Sequence, residues 1–432
     1  MAEGGFPIQP ELPSLPGKHQ ETSMGRLISF TALIWLLAAG AWAQNSGSSF
    51  TGLARIDAET SRVRDAGRGA EVALGLSQGV PYRLFTLDGP PRLVLDFQEV
   101  DWSGLTVQNL LQGEQITAAQ FGTYVPGWSR LVLQLAGPMK VSTAAMTVDQ
   151  VTAAARLAVT LEPAAAEDFA AAAGAPQDPR WDLPAPQTMP GKGVRDENAP
   201  LLVMLDPGHG GIDPGAETEV VVEKHLMLQF ARELGEALVR SGQFTVMMTR
   251  DGDYFVSLER RIAMAHQAGA DVFISLHADT ISEGRAHGST VYTLSREASD
   301  VASAKLAERQ LRGDLLSGTD LSQADDKVTA VMLDLARQET QPRSDALAAA
   351  LIDGLRGQGR PINNRPLRSA GFSVLKSADI PSVLVEIGFL SSTRDLQNLV
   401  DPDWRAQAAR GILNGLITWR AQDDARRALV RQ

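Results

Sequence analysis

The sequence predicts an α/β catalytic domain, a mostly parallel sheet with helices on both faces, preceded by an N-terminal all-β sandwich domain. Two observations predict it. Up to about residue 163, apolar residues recur at every second position, as in Arg92-Leu-Val-Leu-Asp-Phe97, Arg130-Leu-Val-Leu-Gln-Leu135 and Arg156-Leu-Ala-Val-Thr-Leu161. This is the period of half-buried strands. From residue 201, short apolar runs alternate with stretches of helical period, the pattern of a parallel sheet covered on both sides. With 432 residues the chain has room for two or three such domains.

The chain opens on a polar, Pro-rich stretch, 1–23, expected to be a mis-annotated leader ahead of a true start at Met24. Residues 24–43 read as a signal peptide. Arg26 supplies the positive charge, Leu27 to Gly40 the apolar core, and Ala41-Trp-Ala43 the small-x-small cleavage site. That core is shorter than the roughly 20 residues of a comfortable membrane span, so no stable membrane anchor is expected after cleavage.

Residues 50–163 carry the period-two runs, punctuated by turn signals at Gly89-Pro-Pro91, Pro126-Gly127 and Gly137-Pro138. Residues 164–200 lose periodicity and gain Pro176, Pro179, Pro184, Pro186 and Pro190, the composition of a linker. The second domain, 201–422, begins with the buried strand Leu201-Leu-Val-Met-Leu205. A helix opening at Glu223 follows, with Leu226, Phe230, Leu234 and Leu238 on one face. Phe244–Thr249 reads as a strand, Ser257–Ala268 as a helix, and Asp271–Leu276 and Gly288–Leu294 as strands. Strands at Phe372–Leu375 and Pro381–Ile387 and a helix carrying Trp404, Ile412, Leu413, Leu416 and Ile417 close the domain. Between them lies a helical insertion at about 298–344, longer than a crossover needs. Segments of this kind are commonly functional or mobile.

A net charge of −11 argues against nucleic-acid partners and against a basic membrane-surface anchor. The absence of cysteine excludes disulfides and thiolate-bound metals, so any zinc must be held by His, Asp or Glu. Six histidines keep the search short. His209 lies in the glycine-rich run Leu205-Asp-Pro-Gly-His-Gly-Gly-Ile-Asp-Pro-Gly-Ala216, and His277 closes the apolar strand in Ser275-Leu-His-Ala-Asp279. Glu223 opens a helix, where the macrodipole alone would also favour a carboxylate. Glu386 sits inside Val383-Leu-Val-Glu-Ile387, where a buried carboxylate must be paired, protonated or beside a cation. In a parallel sheet, ligands gather at the carboxyl ends of strands. His209, His277 and Glu386 all fall there. Two imidazoles and one carboxylate leave a tetrahedral zinc one open position, as a catalytic site requires. His225, His266, His287 and His19 are weaker candidates.

The motif around His209, Glu223-Lys224, Ser275–Asp279 and Ile380-Pro-Ser-Val-Leu-Val-Glu-Ile-Gly-Phe-Leu-Ser391 occur in order. Together they resemble the zinc-dependent N-acetylmuramoyl-L-alanine amidases of the type 3 cell-wall amidase family. The β-rich part is similar to the AMIN domain of Gram-negative cell-division amidases, through the strand Pro90-Pro-Arg-Leu-Val-Leu-Asp96. The resemblance implies hydrolysis of the amide between N-acetylmuramic acid and the L-alanine of peptidoglycan stem peptides, in the periplasm, during septal splitting. It implies Zn²⁺ on His209, Glu223 and His277, and Glu386 as the catalytic carboxylate. It also implies a regulatory helix in the insertion that occludes the metal until a protein activator binds there.

Two positions depart from the family. Ser391-Ser392 stands where Ser-Asn is common. The regulatory glutamate aligns with Gln310, with Glu308 two residues away, and the sequence does not choose between them. The competing readings are another zinc peptidase of the wall and a non-catalytic wall-binding regulator. Muropeptide mass analysis separates the first, and retention of Glu386 with all three ligands speaks against the second.

Overall fold

The computed structural model describes residues 54–430 except 99, 150, 177–198, 281–285, 319–326 and 378. The expected leader and signal peptide lie outside the described residues. The first domain is built from β1 (Ala54–Ala66), β2 (Gly69–Leu76), β3 (Tyr82–Leu87), β4 (Arg92–Gln98) and β5 (Val100–Asp101). A single helical turn, α1 (Val107–Leu110), is capped by Thr106, whose side chain accepts from the Asn109 N–H. Then come β6 (Leu111–Gln112), β7 (Ile116–Val125), β8 (Trp128–Leu135), β9 (Met139–Val148) and β10 (Ala155–Pro163). One sheet runs β5-β1-β2-β10-β9, with β6 also on β1, and the other runs β3-β4-β8-β7.

Their inner faces meet in one apolar core that includes Val72, Leu74, Leu93, Leu95, Phe97, Leu131, Leu133, Leu157 and Val159. Each such side chain contributes about 1.5–3 kcal/mol on leaving water. The sandwich continues past residue 163. Helix α2 (Ala166–Ala172) seats Phe169 in the same core.

The second domain adds β11 (Leu201–Pro207), α3 (Glu223–Arg240), β12 (Phe244–Met248), α4 (Leu258–Ala268), β13 (Val272–His277) and β14 (Ser289–Leu294). After these come α5 (Val301–Leu316), α6 (Lys327–Gly357), β15 (Ile362–Ala370), β16 (Ser382–Glu386), α7 (Thr393–Val400) and α8 (Pro402–Val430). The sheet order is β12-β11-β13-β16-β14-β15. Within this sheet, β14 against β16 is antiparallel and the other pairings are parallel. Successive residues of β11 feed opposite cores: Val203 and Leu205 pack with α3, α6 and α8, while Met204 packs with Ala265 of α4 and Leu306 of α5. That alternation is the reason the strands read as continuous apolar runs. Among the described residues no helix is long and apolar enough to cross a membrane.

Two further expectations change. The strand expected at Phe372–Leu375 is a 3-10 turn, Ser373–Leu375, whose apolar side chains are buried against Tyr292 and the rest of that core. The neighbouring strand is instead β15, which contains Asn363, Asn364, Arg365 and Pro366 and lies at the sheet edge, where proline is tolerated. The insertion also does not end as a separate unit near residue 344. Its second helix runs on through Pro342, and Leu347, Leu351 and Leu355 join Ile412, Leu416 and Trp419 in the main core.

Candidate metal centre

Four segments deliver the predicted residues to one point at the carboxyl edge of the sheet. β11 runs into the His209 loop, β13 ends on His277 and β16 ends on Glu386, in register with His277. The first residue of α3 is Glu223, fully buried. Its Oε1 lies 3.1 Å from His277 Nδ1 and accepts the Ala278 N–H at 2.9 Å. Its Oε2 lies 3.3 Å from His209 Nε2 and accepts the Ala216 N–H at 2.8 Å. The two imidazoles stand 4.9 Å apart at 80°. Glu386 is also fully buried, with Oε2 accepting the Asp279 N–H at 3.0 Å.

His209 adopts a left-handed backbone, φ 60°, a conformation that non-glycine residues adopt only when their surroundings impose it. Asp213 Oδ2 sits 2.8 Å from its Nδ1, and Arg261 donates to its carbonyl at 2.8 Å. Arg250 donates to the carbonyls of Pro207 and Gly208 at 3.0 and 2.8 Å. Arg261 is in turn held by the buried Asp206 at 2.5 Å, which also accepts from the hydroxyls of Thr249 and Ser275 at 2.6 Å each. Asp213, four residues after His209 in a motif already singled out, was open to recognition as its orienting carboxylate. The burial of Arg261 on α4 had no such signal.

The residues present fit a metal ion. His209, Glu223 and His277 each offer a ligand atom within 4.8 Å of the others, the one such group among the described residues. His209 Nε2 and Glu386 Oε1 are buried without a hydrogen-bond partner, a state that is costly unless something else meets them. The glycines shape the cradle. A Cβ on Gly208 would run into the His277 ring, and one on Gly215 into His209 and Glu223.

The charged neighbours act on one another. Burial opposes the charge on His209, but Asp213 and Glu223 outweigh it and raise its pKa well above the usual value. Burial likewise opposes ionisation of Glu223, and His209 and His277 pull its pKa well down. Burial, then the carboxylates of Glu223 and Asp279, push the Glu386 carboxyl well up.

The other histidines lie elsewhere. His225 is exposed 4.0 Å from Asp253, His266 pairs with Asp379 at 3.2 Å, and His287 is exposed. Of the two regulatory candidates, Glu308 is exposed on α5, whereas Gln310 is buried with both amide atoms unpartnered. Gln310 and Asp314 of α5 line a cavity shared with His209, His277, Asp213 and Arg261. Its volume is about 20 Å³. That is enough for about one water and far below the several hundred Å³ of an ordinary ligand site. Arg309 ties α5 to the segment after β13, donating to Asp279 at 2.7 Å and to the Thr280 carbonyl.

A family model described as N-acetylmuramoyl-L-alanine amidase matches residues 203–418, and the AMIN domain model matches 61–161. The chain is 31% identical to the N-acetylmuramoyl-L-alanine amidase AmiC of Escherichia coli O6:H1 over 93% of its own length and 97% of that protein's. It is 32% identical to the AmiC of Neisseria meningitidis serogroup B, covering 80% of this chain and 85% of that one. Among solved structures, Ami1 of Mycobacterium smegmatis is 21% identical over 52% of this chain and all of its own, with a TM-score of 0.38. The two domains and the edge-of-sheet site thus define a cell-wall amide hydrolase. The chain belongs to the N-acetylmuramoyl-L-alanine amidase family and carries an N-terminal AMIN domain.

Asp206 yields a stability prediction. Burial raises its pKa, but Arg261 and the two hydroxyls more than offset this and hold it below the ordinary value of 3.8. A depressed folded-state pKa stabilises the fold above the unfolded value, and this contribution is lost as pH falls through the folded value. Asp206→Asn, which leaves Arg261 as an uncompensated buried cation, should cost about 3–5 kcal/mol. Thermal melts should show this deficit constant from neutral pH down to about 4, then shrinking in stronger acid as the wild type protonates. A deficit unchanged into strong acid would contradict the assignment.

Proposed function

We propose that the chain is a zinc-dependent N-acetylmuramoyl-L-alanine amidase that cuts between the lactyl group of N-acetylmuramic acid and the stem-peptide L-alanine. We place it in the periplasm, at septal splitting, in a resting state closed by α5 until a protein activator engages the insertion. The observation that carries the catalytic reading is the convergence of His209, Glu223 and His277 within 4.8 Å, beside a buried Glu386 with one oxygen unpartnered. The closed reading is carried by the small cavity that Gln310 and Asp314 cap.

His209, Glu223 and His277 would hold the zinc. When bound it supplies Lewis-acid polarisation of the amide carbonyl and an acidified water. The rest falls to the chain. The Glu386 carboxylate uses Oε1 to take a proton from the attacking water, because Oε2 is already engaged by the Asp279 N–H. The C–N bond breaks, and the same oxygen returns the proton to the departing L-alanine nitrogen. Asp213 and Arg261 keep His209 in its left-handed geometry throughout. With one carboxylate among the three residues that would hold it, the ion would keep net positive charge for the developing oxyanion.

Glu386→Gln should retain zinc and fold while hydrolysis of purified walls falls by at least ~10²-fold, the scale of positioned acid–base catalysis. His209→Ala and His277→Ala should instead lose the metal, read by elemental analysis after dialysis, since two ligands hold zinc poorly. Near-normal wall hydrolysis by Glu386→Gln would remove Glu386 from the mechanism.

Gln310 is the neutral counterpart of a carboxylate plug, and a neutral amide binds zinc more weakly than a carboxylate does. Gln310→Glu should therefore lower the basal rate of the zinc-loaded enzyme without changing its zinc content. An unchanged or higher basal rate would show that this position does not close the centre.

A further inference from the structure

The outer face of the second sandwich sheet is not turned to solvent. Phe85, Leu87, Val94 and Val132 form one buried cluster with Ile212 and Phe255 of the catalytic domain. The backbone joins the two domains as well. Ile212, three residues after His209, donates its N–H to the Thr123 carbonyl at 2.8 Å, and the Phe255 N–H donates to the Tyr124 carbonyl at 2.8 Å. The Tyr124 and Phe255 rings stack at 5.6 Å. Val256, the residue after Phe255, lines the cavity over the metal centre, as Phe255 itself does.

One sandwich residue reaches the lid itself. Arg130 on β8 is 2% exposed, an unusual place for a guanidinium unless every donor is met. Its Nε and Nη2 engage Asp96 at 2.5 and 3.0 Å, and its plane lies 3.4 Å from the Tyr124 ring centroid. The remaining arm, Nη1, donates to the carbonyls of Gly318 and Ser317 at 2.9 and 3.3 Å. These carbonyls belong to the turn that directly follows α5, where the helix dipole favours a cation. Gln120 of β7 adds a contact to the Ser317 hydroxyl at 3.4 Å.

We infer that the AMIN sandwich is an intramolecular clamp on the lid: Arg130 fastens the C-terminal end of α5, so the helix cannot leave the metal centre unless this contact breaks. The inference rests on the reading that α5 closes the centre, and adds what holds it there. Within α5, Arg309 ties the middle of the helix to Asp279 and Asp314 ties it to the α4 N-terminus through the Leu258 N–H. The sandwich supplies the last anchor. A separate domain contributes it, so any force or ligand that shifts the sandwich acts directly on the lid.

The test uses full-length protein. Arg130→Met removes the clamp while leaving Asp96 paired with Arg83 at 2.9 Å. Hydrogen exchange followed by mass spectrometry should show amides of 301–316 exchanging about tenfold faster or more, the loss expected for charged hydrogen bonds, with those of β1, β2 and β10 unchanged. Gly318→Val is the second variant. It leaves the sandwich sequence intact but would place a side chain about 3.0 Å from Arg130 Nη1 at a φ of 80°, and should loosen the same amides if the Arg130 variant does not fold. Unchanged exchange in 301–316 in a folded variant would overturn the clamp.

Basal wall hydrolysis, measured alongside a deletion of 301–318, separates the two levels. Faster exchange with no gain in activity from either the variant or the deletion would leave the clamp standing and remove the autoinhibition reading. A gain from the deletion, with exchange unmoved in both point variants, would do the reverse.

Discussion

The buried carboxylate of Glu223 is the constraint around which the catalytic domain is organised. A carboxylate with no exposure to water must be met by cations or strong donors, and here each oxygen has one backbone N–H and one imidazole. Those partners come from the His209 loop and from the end of β13. Satisfying Glu223 therefore fixes the separation of the two histidines by protein contacts alone. The arginines that brace the His209 loop answer the same need one layer out, by holding a left-handed residue where its ring faces Glu223. Oxygens and nitrogens left partly unmet at the centre are the cost of a site prepared for a cation.

Much of this was legible in the sequence because the functional side chains break local rules. A glutamate inside Val383-Leu-Val-Glu-Ile387 and a histidine ending an apolar strand conflict with burial, and in a consistent sequence such conflicts mark function. The alternation of strand and helix placed them on one sheet edge without any side-chain information. Helix α4 was harder. Helical spacing sets Leu258, Ile262 and Ala265 on one face, yet Leu258 and Ile262 are only half-buried and Arg261 takes an interior position. A buried cation leaves no periodic trace, since its partner Asp206 lies on another element. Phe372–Leu375 failed for a related reason: a short apolar run shows burial but not whether the backbone is strand or turn.

The sandwich illustrates how tertiary contact overrides period. Runs such as Arg92-Leu-Val-Leu-Asp-Phe97 suggested one face in and one face out, yet all six residues are buried. The second face is covered by Ile212 and Phe255 and by the end of α5, and its charges pair with one another as Arg83–Asp96–Arg130. Nothing in the β-rich stretch announces a partner 80 or more residues away. A domain whose sequence reads as a self-contained sandwich also packs against the loop that carries His209.

Zinc K-edge X-ray absorption on the full chain loaded with one equivalent of Zn²⁺ tests the central claim most directly. The account predicts a four- or five-coordinate site with two imidazoles at about 2.0–2.1 Å and oxygen at about 2.0–2.2 Å. One imidazole contribution should disappear in His277→Ala. An all-oxygen coordination shell, or a spectrum indifferent to both His209→Ala and His277→Ala, would contradict it.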